Sequence, residues 1–77
     1  MSVNDTLRRF LSAADACAEP GCYCAPVDRL AIVDGVPIRE IFAMLEGGLA
    51  ELDYVGPRAV DLVLTPAGIA ARNALGN

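Results

Sequence analysis

The chain has no histidine, no lysine and no tryptophan, and its aliphatic hydroxyls are limited to Ser2, Thr6, Ser12 and Thr65. Without imidazole no Ser-His-Asp or Cys-His pair can be assembled, and no histidine can bind a metal or shuttle a proton. Without lysine there is no Schiff base and no ammonium to hold a phosphate. Neither an enzyme nor a cofactor is expected. Two phenylalanines and two tyrosines are too few for the aromatic stacking platforms that bind single-stranded nucleic acid.

Positive charge is also scarce. Six arginines stand against ten carboxylates, giving a net charge of −4 and a pI near 4.4, the wrong balance for a generic polyanion binder. The longest apolar run, Ile41 to Leu45, falls far short of the ~20 residues of a membrane span or the seven or more of a signal-peptide core. No membrane partner is expected, and the chain is expected in the cytoplasm. An arginine-only cation set in an Ala/Gly/Val-rich chain fits GC-rich bacterial or phage coding.

What is present is a small aliphatic domain: 77 residues, 55% hydrophobic, with a mean hydropathy of +0.43. That is too apolar for a disordered tail and enough for one small core. Leu7, Phe10, Leu11, Ala14 and Cys17 recur at helical spacing and predict a first helix over 4–18, with Asn4 or Asp5 as N-cap. Pro20-Gly21 ends it, and Cys22-Tyr23-Cys24 is read as a connector, a turn or at most one bridging strand. A second helix over 26–33 starts with Pro26 as its first residue and stops at Asp34-Gly35.

Ile38, Ile41, Phe42, Leu45, Leu49 and Leu52 hold one register and predict a third helix over 37–51. Its obstacle is Gly47-Gly48, at ~1 kcal/mol each relative to Ala, so the helix either ends there or continues to about Glu51. Phe42 is thereby placed in the core. Residues 52–64 read as a hairpin about Gly56-Pro57-Arg58, with Tyr54 packed along it. Thr65-Pro66 then caps a last helix over 66–75. The expected architecture is one domain, 1–77, mainly α with a small β-hairpin.

This order resembles the winged helix-turn-helix superfamily, through Leu30-Ala31, Gly35-Val36, Ile41 and Leu45. In that pattern a small residue in the second helix admits the third, a glycine makes the turn, and a β-branched residue and a leucine lock the pair. Leu64-Thr65-Pro66-Ala67-Gly68 is similar to the passage from wing to following helix in MarR-like and PadR-like regulators. The resemblance covers residues 26–75, about two-thirds of the chain, and implies DNA reading by the third helix.

The residues depart from that implication. Outside the core stripe the third helix offers Arg39, Glu40, Ala43, Met44 and Glu46, one cation against two carboxylates. These five are therefore expected to contact a protein partner, in a non-enzymatic regulatory module with an acidic surface. Such a surface is similar to that of nucleic-acid mimics, a class that includes small phage inhibitors of host nucleic-acid machinery such as some anti-CRISPR proteins. The alternative is a homodimeric DNA-binding transcriptional regulator. It would read the major groove with Arg39, place Arg58 of the wing in the minor groove and set Arg8 and Arg9 on phosphates.

The cysteines, spaced C-x4-C-x-C with Asp15 or Glu19 as conceivable fourth ligands, lack the paired knuckles of a zinc site. They are expected to be thiols, with Cys17 a core side chain and Cys22 and Cys24 on opposite sides of the connector. No metal is expected.

Overall fold

Leu7 and Phe10 are fully buried and define the inward side of α1 (Val3–Ala13). The computed structural model describes residues 3–17 and 19–75. Ala18, placed by its sequence at the end of the first helix, lies outside the described residues, as do Ser2 and Gly76. Asn4 and Asp5 are inside the helix rather than capping it. At its other end α1 stops five residues early. The Arg29 side chain donates to the Ala13 carbonyl and pairs with Asp15 at 3.2 Å, so a cation occupies the helix C-terminus. The chain then enters a two-residue strand, β1 (Asp15–Ala16).

The segment read as a connector is a strand, β2 (Tyr23–Pro26). It pairs antiparallel with β1 on one side and β4 (Ala59–Leu64) on the other, and β4 also forms the hairpin with β3 (Ala50–Gly56). The sheet order is β1-β2-β4-β3. This overturns the mainly α expectation: among the described residues four helices accompany a four-stranded antiparallel sheet, and the fold is mixed α/β. The physical reason is hydrogen bonding. The edge of β4 facing away from β3 would leave its amides and carbonyls unpaired beside the core, and 23–26 supplies the missing ladder.

Pro26 ends β2 with extended backbone, so α2 (Val27–Ile32) begins one residue later than expected. After the turn at Asp34-Gly35, Pro37 precedes α3 (Ile38–Glu46). Gly47-Gly48 ends this helix, correcting the 37–51 reading. Gly48 takes φ +72°, the Gly48 N–H donates to the Leu45 carbonyl at 3.1 Å and the Leu49 N–H to the Met44 carbonyl at 3.0 Å. That is the Schellman pattern, which needs a left-handed residue that glycine supplies without strain.

Ala50, Leu62, Leu64 and Ala25 line the inner side of the sheet, against Leu7, Phe10, Leu30, Val36, Ile41 and Met44 from the helices and turn. Phe42 is not among them: it is 55% exposed, and Tyr54 is exposed as well. The buried stripe of α3 is Glu40, Ile41 and Met44, turned from the expected one because a carboxylate, not an aromatic ring, faces α1.

The last helix, α4 (Pro66–Asn73), is seated by backbone contact. Thr65 accepts from the Gly68 N–H at 3.1 Å and donates to the Gly48 carbonyl, while the Thr65 N–H donates to the Leu49 carbonyl at 3.0 Å. A Cβ on Gly68 would stand 1.9 Å from the Leu49 carbonyl oxygen. Gly68→Ala is therefore expected to cost about 2 kcal/mol or more. Thr65→Ala, which loses the cap and the hydroxyl's bond to the Gly48 carbonyl, is expected to cost about 1–1.5 kcal/mol. Urea denaturation of both variants checks the order.

Candidate partner-binding surface

Helix α3 has two unlike sides. Inward, Ile41 and Met44 pack in the core beside Glu40, which is only 5% exposed. Glu40 accepts from the Thr6 hydroxyl at 3.4 Å and pairs with Arg9 at 3.5 Å. Outward lie Ile38, Arg39, Phe42, Ala43 and Glu46, one stripe by helical spacing. Ile38 and Phe42 are each 55% exposed along one side of it, and Ile32 and Val33 at the end of α2 are more exposed still. The α2–turn–α3 unit thus presents an apolar ridge flanked by one arginine and one glutamate.

Of the five residues expected to meet a protein partner, Arg39, Ala43 and Glu46 are on this stripe. Glu40 and Met44 are not, and both are withdrawn from the surface. Glu40 is held inside by Thr6 and Arg9, and Met44 fills the core at 1% exposure. Ile32, Val33 and Ile38 were not expected outside. The signal for Ile38 is the buried Glu40 itself: rotating α3 to bury it moves Ile38 and Phe42 out.

The arginines proposed for DNA also separate. Arg58 is exposed in the turn between β3 and β4, and Arg39 is exposed on α3. Neither forms a side-chain ion pair among the described residues. Arg8 is exposed and 3.9 Å from Asp5, whereas Arg9, its side chain partly exposed, pairs with the buried Glu40. Arg29 pairs with Asp15 and Asp34, and the Arg72 guanidinium lies 5.0 Å from the Tyr23 ring centre.

The opposite face of the sheet carries the thiols. Cys17, Cys22 and Cys24 line one open groove of about 460 Å³ together with Glu19, Asp53 and Asp61. The expectation that Cys22 and Cys24 point to opposite sides fails because side chains two apart on a strand share a face. Burial raises the Cys17 thiol above its ordinary 9.0, as do its contacts with the Cys24 and Cys22 thiols. All three cysteines are free, and among the described residues no three acidic, cysteine or histidine side chains are set to hold a metal ion. No described helix is long and apolar enough to cross a membrane. No family model, curated protein or solved structure matches the chain.

Removing Arg9 strands a buried carboxylate, whereas removing Arg8 breaks an exposed pair. Arg9→Ala is expected to cost about 1–3 kcal/mol and Arg8→Ala less than about 0.5 kcal/mol, read from urea midpoints. The raised Cys17 value carries a pH dependence of known sign. The folded thiol holds its proton more tightly than the unfolded one, so its stabilisation is complete below pH 9 and is lost as pH rises above it, by up to about 1.4 kcal/mol per pH unit. Cys17→Ser is expected to flatten that alkaline limb in denaturation curves measured between pH 8 and 10.

Proposed function

We propose that this chain is a non-enzymatic regulatory module that binds a protein partner through the outward stripe of α3. The observation that carries the reading is the exposure of Ile38 and Phe42 side by side on that stripe. A groove-reading helix needs arginine, asparagine or glutamine there to reach base edges, while an apolar ridge gains free energy only against another apolar surface. At half exposure, burying each side chain is worth about 1 kcal/mol, and an aromatic at the centre of a patch is the usual anchor of a protein interface. The α2–turn–α3 pair and the β3–β4 hairpin keep the order on which the resemblance to winged-helix regulators rests, which supports a regulatory role. The net charge of −4 favours a partner with a basic surface, as in inhibitors of nucleic-acid-binding machinery, although Glu51, Asp53 and Asp61 lie on the face of the sheet away from α3.

A second reading has its own observation: Arg39 and Arg58 are exposed, one on α3 and one at the hairpin tip. On that reading a homodimer of the chain binds duplex DNA in the cytoplasm, and the paired arginines of two copies make up the missing charge.

The two readings part in one experiment on the purified chain and its Phe42→Glu, Arg39→Ala and Arg58→Ala variants, each checked for native circular dichroism. A protein captured from cell lysate by the wild type and by Arg58→Ala, but lost at least tenfold with Phe42→Glu, is the expected result. A mobility shift of duplex DNA at low salt that disappears with Arg39→Ala and survives Phe42→Glu would overturn the protein-binding reading.

A further inference from the structure

The ladder between β1 and β2 pairs Asp15 with Cys24 and Ala16 with Tyr23. Continuing that register by one residue sets Cys17 opposite Cys22, and the Cys17 N–H donates to the Cys22 carbonyl at 2.9 Å. The Cys22 N–H donates in turn to the Glu19 carbonyl at 3.1 Å, so the two cysteines flank a tight turn. Residues directly opposite on antiparallel strands have Cα atoms about 4.5–5.5 Å apart, inside the 4.4–6.8 Å that a disulfide spans. The Cys24 thiol also contacts that of Cys17, but Cys24 is diagonal to it on the ladder, its Cα about 7–8 Å away and beyond that reach without backbone movement. Cys22 and Cys24, two residues apart on one extended strand, are about 7 Å apart.

We propose that Cys17 and Cys22 are a modification site, a hairpin dithiol that closes into a disulfide by exchange with a low-molecular-weight disulfide such as glutathione disulfide, with Cys24 remaining a thiol. The half-buried Cys17 lines the open groove and is the sulfur an incoming molecule meets, whereas Cys22 is 93% buried, its sulfur 3.9 Å from the Leu64 carbonyl. The Cys17 thiolate attacks one sulfur of the small disulfide. The Cys17–glutathione bond forms, the glutathione S–S bond breaks, and one glutathione leaves as a thiolate that takes up a proton. The Cys22 sulfur then attacks the Cys17 sulfur, forming the Cys17–Cys22 bond and releasing the second glutathione. Two protein thiols lose two electrons, and one small disulfide becomes two thiols.

The environment of Cys17 sets the character of this bond. Burial and neighbouring thiols keep Cys17 protonated, so the first attack is slow at neutral pH and quickens about tenfold per pH unit as the thiolate fraction grows. The reduced form therefore gains no stabilised thiolate, and the closed form, once made, resists reduction. Its geometric consequence is a covalent tie between the exit of α1 and β2, where β1 contributes only two residues of ladder.

The test is incubation of the full chain with glutathione disulfide at pH 7.5 and 8.5, followed by alkylation and fragmentation mass spectrometry under non-reducing conditions. The expected product has lost two mass units, carries one alkyl group on Cys24, and forms about tenfold faster at the higher pH. Cys24→Ser is expected to close as the wild type does, while Cys17→Ser and Cys22→Ala do not. Alkylation of Cys22 in the closed product, loss of closure in Cys24→Ser, or accumulation of glutathione adducts without closure would each overturn the assignment. Circular dichroism of every variant separates a failure to fold from a failure to close.

Discussion

The guanidinium of Arg29 is where the helical and sheet halves of the molecule meet. It takes the Ala13 carbonyl at the end of α1, the Asp15 carboxylate in β1 and the Asp34 carboxylate in the turn after α2. Each pair alone, on a side chain one-third exposed, would be worth little. Held on one planar fork they act together, because the same side chain ends a helix, starts a strand and anchors a turn. If α1 ran on through Cys17, β1 could not lie beside β2, and the three cysteines could not share a face. If Asp34 were not drawn toward α2, the turn that sets the direction of α3 would lose its tether. The ridge on α3 and the thiol groove therefore both depend on this residue, although it belongs to neither.

The second constraint is the buried Glu40. A carboxylate nearly out of solvent is tolerated only with partners, here the Thr6 hydroxyl and the Arg9 guanidinium. Supplying them brings α1 against α3 and fixes the rotation of α3 about its own axis. An apolar residue at position 40 would let α3 turn Phe42 inward, as its hydrophobic periodicity alone predicts. The polar contact thus has a surface consequence: it puts Ile38 and Phe42 where solvent or a partner must cover them.

This division explains how much was legible in the sequence. The helices near 27–32, 38–46 and 66–73 and the hairpin near 50–64 follow from punctuation acting within a few residues: Pro37, Gly56-Pro57, and Thr65 with Pro66. What escaped depends on distant partners. Strand β2 is four residues long and its place in the sheet is set by Leu62 and Val63, nearly forty residues away. The burial of Glu40 rests on Thr6, 34 residues off. The end of α3 was ambiguous because a pair of glycines costs helix stability without stating where the left-handed residue falls; only the Gly48 and Leu49 hydrogen bonds decide it. At the candidate site, Arg39, Ala43 and Glu46 were legible as outward residues of α3, while Met44 and Glu40 were lost with the same unseen rotation. The shared face of Cys22 and Cys24 was legible in principle, since a two-residue spacing on any extended segment dictates it.

On the proposed reading, charge and apolar surface would divide the work of recognition by distance. Arg9 and Arg29 are paired with carboxylates, which leaves the net charge at −4, so what the protein shows at a distance is an acidic field. At physiological ionic strength that field reaches about 8 Å, enough to orient an approaching basic surface and to turn away phosphate. Within contact range the order reverses. Carboxylates on the rim add little net affinity, whereas Ile38 and Phe42 contribute only when water leaves them. An acidic approach and an apolar ridge are contrary requirements for a DNA duplex and compatible ones for a basic protein with a hydrophobic cleft, and it is this combination, more than either feature alone, that favours a protein as the partner of α3.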